Sequence, residues 1–209
     1  MRRTKEDAET TRIAILDEAV RLFAEKGVAE TSLEEIANAA KVSRGAIYWH
    51  FKNKMEIFDV LHERLYQPLS EMILKDMKLD HPFPLQKMQQ LCIDLMLDVA
   101  DNKQKQYAIT LFLIKMDYSG DLQKYRQPHR ERKHANVDLF RHYFEKAIAR
   151  KQLSAEQDPA ALAMAVRCYL KGIVFEYLGD PETFDMNAQA PTLINTFFQH
   201  MIGAGANQT

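Results

Sequence analysis

Apolar residues recur at helical spacing along nearly the whole chain, and the interruptions between the stripes are short. Ile13, Leu16, Ala19, Val20 and Phe23 form the first stripe, which predicts a helix over 6–26 with Gly27 as its stop. Ser32 followed three positions on by Glu35 is a capping-box pattern and opens a brief helix over 33–40. A turn at Lys41-Val42 leads to a third short helix over 44–50, capped by Ser43. Asn53 caps a fourth, much longer helix running to about Lys78. His81-Pro82-Phe83-Pro84 breaks the pattern, which resumes over 85–100 and again over 103–117. A long seventh helix is expected over 121–151, bent or started late near Pro128. Asp158 caps an eighth, with Pro159 at its favoured first position, running to about Leu178. Gly179-Asp180-Pro181 ends it, and 191–202 is the last. No segment reads as a strand. The fold class predicted is all-α, with about nine helices.

Composition agrees with that reading and narrows it. The 209 residues are 46% hydrophobic, with only 7 Gly and 7 Pro, enough apolar material for a sizeable core. The formal net charge is −1, so any contact with nucleic acid rests on local charge rather than a global excess. The start, Met1-Arg2-Arg3-Thr4-Lys5, leads into no apolar run, and no stretch approaches a membrane span. A soluble, cytoplasmic protein with no membrane partner is expected. Cys92 and Cys168 each sit in apolar helical runs and read as buried, reduced thiols.

The stretch Thr31–Lys54 carries the chemistry. Two short helices joined by a tight turn, the first presenting Leu33, Ile36 and Ala37 inward, match a DNA-binding helix-turn-helix. The second helix is odd by packing standards. Ile47 and Phe51, four apart, anchor it, yet Tyr48, Trp49 and His50 crowd its end with aromatic and polar groups. Arg44 and Gly45 stand at its start, where a helix in the major groove brings side chains to base edges. Glycine in a first helical turn costs about 1 kcal/mol against alanine, which close approach of the backbone to DNA would offset.

Residues 5–58 resemble the DNA-binding domain of the TetR family, in particular the multidrug-efflux repressors of the AcrR type. The block from Ser43 through Arg44, Gly45, Ala46, Ile47, Tyr48, Trp49, His50, Phe51, Lys52 and Asn53 to Lys54 carries the resemblance, with Thr31-Ser32-Leu33-Glu34-Glu35-Ile36-Ala37 before it. Lys41 departs from the pattern, since the family usually has Gly in that turn. The resemblance implies a helix-turn-helix DNA-binding domain over 1–53 and an effector-binding and dimerisation domain over 54–209. It implies a homodimer on a near-palindromic, double-stranded DNA operator, released by a small ligand. Arg44 would read a base, Gly45 would let the backbone come near, and Thr31, Ser32 and Ser43 would donate to phosphates. Tyr48 and His50 would also meet phosphates, Trp49 a sugar or thymine methyl, and Lys54 another phosphate.

The resemblance fades after about residue 60, with a weak echo at 113–117 and 171–175. Effector-site candidates then follow helical spacing: Leu65 and Tyr66 on the fourth helix, Met88, Cys92 and Leu95 on the fifth, Ile109, Leu113 and Met116 on the sixth. Asn136 and Phe140 come from the seventh, and Phe175 from the eighth. The eighth helix is apolar nearly all round but carries Arg167 and Lys171 four apart. One of these cations is expected to favour an acidic, bile-acid-like member of a small amphipathic or aromatic ligand class. The ten Met residues suit an adaptable pocket. The eighth and ninth helices, the latter with Leu193, Ile194, Phe197, Phe198 and Met201, are expected to form the dimer interface.

A metal site is not expected. His134 and His142 share a helix face with Asp138, but eight residues of helix rise about 12 Å. No zinc spacing, phosphate loop or nucleophile–base pattern stands out, so neither an enzyme nor a cofactor is expected. Within the regulatory reading, an activator or a sensor of a metabolite or density signal is the alternative.

Overall fold

The computed structural model describes residues 5–79, 81–116 and 118–202. Its helices are α1 (Lys5–Lys26), α2 (Leu33–Ala39), α3 (Arg44–His50), α4 (Lys54–Met77), α5 (Pro84–Asp101), α6 (Lys103–Ile109), α7 (Arg126–Ala149), α8 (Pro159–Gly179) and α9 (Met186–Thr196). A π-helical turn, Thr110–Ile114, continues α6, a 3-10 turn, Gly120–Tyr125, leads into α7, and a second π-helical turn, Phe197–Ile202, extends α9. No strand occurs among the described residues.

Local chemistry explains most of these boundaries. Gly27 stops α1 at φ +90°, a left-handed conformation open to glycine, with its N–H on the Phe23 carbonyl at 2.9 Å. Ser32 and Glu35 complete the capping box of α2 in both directions. The Asn53 side chain accepts from the Glu56 N–H at 3.0 Å and so caps α4. Pro128 falls in the first turn of α7, where its missing N–H has no intrahelical partner to lose.

Two boundaries differ from expectation. The sixth helix is not continuous to residue 117: after Ile109 the chain takes a π-helical turn, and the Lys115 N–H reaches back to the Thr110 carbonyl at 2.9 Å. The extra residue in that turn rotates the following face, so Leu111 and Phe112 are buried and Leu113 and Met116 only half so. The ninth helix begins at Met186 rather than 191. Asp185 caps it by accepting from the Ala188 N–H at 3.1 Å, and Pro191 sits inside it.

The chain divides into two compact units, Met1–Gln67 with Lys103–His129 and Pro68–Asn102 with Arg130–Thr209. The first is built on one apolar cluster. Ile15, Leu16, Ala19, Val20, Leu22 and Phe23 of α1 meet Ile36 and Ala37 of α2, Ile47 of α3, Phe51, and Ile57, Phe58 and Leu61 of α4, with Leu111 and Phe112 closing it. Lys115 ties its segment to α1 through the Ala24 carbonyl at 2.8 Å. Ion pairs decorate the outside, Asp17 with Arg64 and Glu18 with Arg21, each at 2.7 Å.

In the second unit α5 packs against α9 and α8. Its inner face is Met88, Leu91, Cys92, Met96 and Val99. Ile194, Phe197 and Phe198 of the last helical segment are buried. Phe197 stacks on Tyr169 at 4.3 Å, and the Tyr169 hydroxyl donates to the Leu193 carbonyl at 2.9 Å. These aromatic and aliphatic groups, expected at a dimer interface, are therefore consumed by packing within the protomer. The side chain of Met201 lies outside the described residues.

Candidate functional site

The α2–turn–α3 segment is anchored by few residues and leaves the rest outward. Ile47 and Phe51 are buried, and Arg12 of α1 places its guanidinium 5.4 Å from the Phe51 ring centre. Burying one aliphatic and one aromatic side chain at i and i+4 fixes the azimuth of α3 on the core. Of the residues between them, Tyr48 and Trp49 point away, while His50 is half-buried with its Nε2 out of contact with water. Trp49 is 72% exposed and Tyr48 49% exposed, and Ser43, Arg44 and Gly45 are also exposed. A tryptophan so open to water is uncommon where packing alone decides.

The exposed groups are arranged, not merely present. Ser43 caps α3 through the Ala46 N–H at 3.2 Å. Arg44 lies 5.6 Å over the Tyr48 ring and donates to its hydroxyl at 3.3 Å, a bond that raises the guanidinium further above its ordinary pKa. The pair thus holds a planar donor fork on the outer face of α3. Trp49 meets the half-buried His50 edge-on at 4.5 Å. Gly45 is helical, and a Cβ added to it would find only Ser43 Oγ at 3.8 Å. Among the described residues nothing requires glycine there.

Three of the expected phosphate donors are placed otherwise. Thr31 is 1% exposed, and its hydroxyl donates to the Gly27 carbonyl at 2.8 Å. The Ser32 hydroxyl donates to Glu35 at 3.0 Å while accepting from the Glu35 N–H. Lys54 is half-buried and its ammonium donates to the carbonyls of Ala29 at 2.9 Å and Thr31 at 2.7 Å. Burial lowers its pKa, against the opposing pull of Glu30, Glu35 and Asp121. These residues lock the loop before α2 onto the start of α4. Glu35 is held at about 2, first by Lys26 at 2.7 Å and then by the backbone and hydroxyl of Ser32.

Lys41, the departure from the family pattern, adopts a conformation that residue type does not announce. It is exposed, stands in the turn between α2 and α3, and holds φ at +54°. An L-residue in that region costs about 1 kcal/mol or more relative to glycine.

The effector candidates fall into separate surroundings. In the first unit, Ile109 is buried, Leu65 and Met116 pack partly buried against its apolar cluster, and Leu113 is half-buried. Tyr66 lies 4.6 Å from the His62 ring. His62 in turn stacks on His129 at 3.6 Å, and His129 bridges Tyr118 at 3.0 Å and Asp59 at 3.1 Å. Sequence spacing gave no sign of that buried polar cluster, because its members come from distant segments.

In the second unit, Met88, Cys92 and Phe140 are buried and Leu95 is half-buried. Burial pushes the Cys92 thiol far above its ordinary pKa, so it stays neutral. Cys168, expected inside, is exposed on α8. Arg167 and Lys171 are half-buried, whereas Phe175 is 60% exposed and faces outward. The side chain of Asn136 lies outside the described residues. No cluster of three metal-ligating side chains occurs among the described residues, and no described helix is long and apolar enough to cross a membrane.

Comparison with known proteins converges on one family. Residues 15–61 match the family model of bacterial regulatory proteins of the tetR family, and residues 83–203 match that of the MAATS-type transcriptional repressor, C-terminal region. The HTH-type transcriptional regulator AcrR of Shigella flexneri is 31% identical over 194 residues, 90% of this chain and 88% of that one. The HTH-type transcriptional repressor BepR of Brucella suis biovar 1 (strain 1330) is 31% identical over 201 residues, 96% of each. Among solved structures, NalD of Pseudomonas aeruginosa, the secondary repressor of the MexAB-OprM multidrug efflux pump, superposes with a TM-score of 0.71 at 31% identity, covering 92% of this chain and 97% of that one. These matches over both parts of the chain, which include the outward-facing α3, lead to one conclusion: the chain belongs to the TetR family of bacterial regulatory proteins, carrying the C-terminal region of a MAATS-type transcriptional repressor.

Proposed function

We propose that this chain is a homodimeric, ligand-responsive repressor of an efflux-pump operon. The observation that supports it most is the outer face of α3: a tryptophan, a tyrosine and an arginine held in the open by two buried anchors. Arg44 reads a base by paired hydrogen bonds, guanine being the best geometric match to its fork. Gly45, which the chain does not need for its own packing, lets the backbone come close to the duplex. Ser43, Tyr48 and His50 meet phosphates, and Trp49 meets a sugar or a thymine methyl. Thr31, Ser32 and Lys54 serve this surface from behind, by fixing the loop and the start of α4.

Residues 1–53 are the DNA-reading part in this proposal and 54–209 the effector-binding and dimerising part. The dimer surface is the outer face of α8. Ala161, Met164, Ala165, Cys168, Gly172 and Phe175 are all exposed there, an apolar strip that a second copy would cover. Two recognition helices about one turn of DNA apart then face a near-palindromic operator. A small amphipathic or aromatic ligand binding among residues such as Met88, Cys92 and Phe140 shifts the dimer to an arrangement off that spacing. The efflux operon is inferred from NalD, a repressor of such a pump. Action on DNA places the protein in the bacterial cytoplasm.

The test is fluorescence anisotropy on duplexes from the DNA flanking this chain's gene. One duplex should bind tightly, with affinity falling steeply as salt rises. Affinity that is equal for every duplex, or flat with salt, would refute the reading.

A further inference from the structure

Arg167 occupies a position on α8 that the helix otherwise gives to apolar groups. Its neighbours at i−4, i+3 and i+7 are Ala163, Leu170 and Val174, all buried, and helical periodicity puts the four in one row. That row faces the interior of the second unit, where α8 packs on α5 and the inner side chains include Met88 and Cys92. The Nε and Nη1 atoms of Arg167 are out of contact with water and have no hydrogen-bond partner among the described residues. A guanidinium stays charged under all ordinary conditions and offers five donors. Arg167 as a whole is half-buried, but leaving two of its donors sealed from water and unmet is unfavourable.

Acceptors of α4 and α5 in this unit are engaged elsewhere or stay protonated. Asp76 receives the Tyr143 hydroxyl at 2.6 Å, His81 at 3.0 Å and Lys87 at 3.4 Å. Cys92 stays protonated because burial raises its pKa. Asp94 is exposed and holds the Gln90 amide at 2.8 Å. Lys171, one turn along, adds a second positive charge to the same side of α8.

We propose that Arg167 is the anion subsite of the effector site, pairing with the carboxylate or sulfonate head of an amphipathic ligand whose apolar body packs among the α5 and α8 side chains. This rests on the effector reading above and names its ligand class. A planar carboxylate matches the guanidinium fork, and the desolvated surroundings strengthen the charge-assisted bonds. A neutral or cationic head would leave the fork unmet or repel it.

Calorimetry on the full-length dimer with 4-octylbenzoate, 4-octylbenzamide and 4-octylbenzylammonium isolates the head group, since the apolar body is constant. The benzoate should bind about tenfold or more tightly than the benzamide, and the ammonium weakest of all. Arg167→Met should bring the benzoate down to the benzamide and leave the benzamide unchanged. Without ligand, Arg167→Met and Arg167→Gln should melt no lower than the parent, because each removes an uncompensated charge. Equal binding of benzoate and benzamide by the parent overturns the proposal, as does undiminished benzoate binding by Arg167→Met. So does a variant that melts lower or dissociates without ligand, which would mean that a protein acceptor, the partner subunit's included, already holds Arg167. Operator release is read separately by anisotropy. Arg167-dependent benzoate binding without release keeps the anion subsite and removes the effector reading. Release by the benzamide and ammonium, unaffected by Arg167→Met, keeps the effector reading and removes the subsite.

Discussion

Helices α3 and α8 both violate the ordinary sorting of side chains, in opposite senses. On α3, tryptophan, tyrosine and arginine stand in water while only Ile47 is buried within the helix. On α8 the outward strip is alanine, glycine, methionine, cysteine and phenylalanine, and a guanidinium lies in the row reserved for the core. The comparison shows that exposure alone does not name a partner; the chemistry of what is misplaced does. Aromatic rings with a planar donor fork suit bases and phosphates. A smooth apolar strip suits a second protein surface. An inward cation without an acceptor among the described residues suits a small anion.

Substitutions break this contrast to different degrees. Phe51→Ala should cost the first unit about 3–5 kcal/mol, as lost burial plus a cavity, read by urea unfolding, and DNA binding should vanish with the orientation of α3. Phe175→Asp puts a carboxylate into the apolar strip of α8 and should weaken dimerisation by about 2 kcal/mol or more, read by sedimentation, with the protomer's fold intact. An unchanged dimer would place the interface elsewhere. Arg44→Ala should erase about 1–3 kcal/mol of preference for the best duplex over its single-base variants. If all duplexes weakened alike, Arg44 would be a phosphate contact instead.

The smaller effects sharpen the α3 side of the comparison. Lys41→Gly relieves the left-handed backbone and should stabilise the first unit by about 1 kcal/mol. A loss of stability would mean that the lysine side chain contributes more than its backbone costs. Glu35 works through protons. Its carboxyl is held at about 2 in the folded chain against an ordinary value of 4.5. Its stabilising contribution is therefore complete above the ordinary value and lost as pH falls toward about 2. Glu35→Gln should flatten the acid limb of the stability curve in that window, a small change because the group is exposed.

How much of this was legible beforehand depended on whether the controlling signal was local. The caps at Ser32, Ser43, Asn53, Asp158 and Asp185 are local, and the first four were read directly. The fifth lies ahead of the range 191–202 expected for the last helix; the structure keeps Pro191 inside α9 and forgoes one backbone bond. The anchors Ile47 and Phe51 followed from i, i+4 spacing. The π-helical turn at 110–114 had no such marker, and beyond it Leu113 and Met116 are half-buried where Leu111 and Phe112 are buried. Thr31 and Lys54 read as surface donors from residue type, yet the carbonyls of Gly27, Ala29 and Thr31 take their hydrogens. Those acceptors sit in a neighbouring loop, and residue identity alone does not announce a carbonyl's direction.

Cys168 has a practical bearing beyond its place on α8. It is exposed, whereas Cys92 is sealed, so a maleimide added to the native protein has one accessible target among the described thiols. If two copies meet along that strip, assembly shields the sulfur, and the labelling rate becomes a clock for subunit exchange that needs no engineered probe.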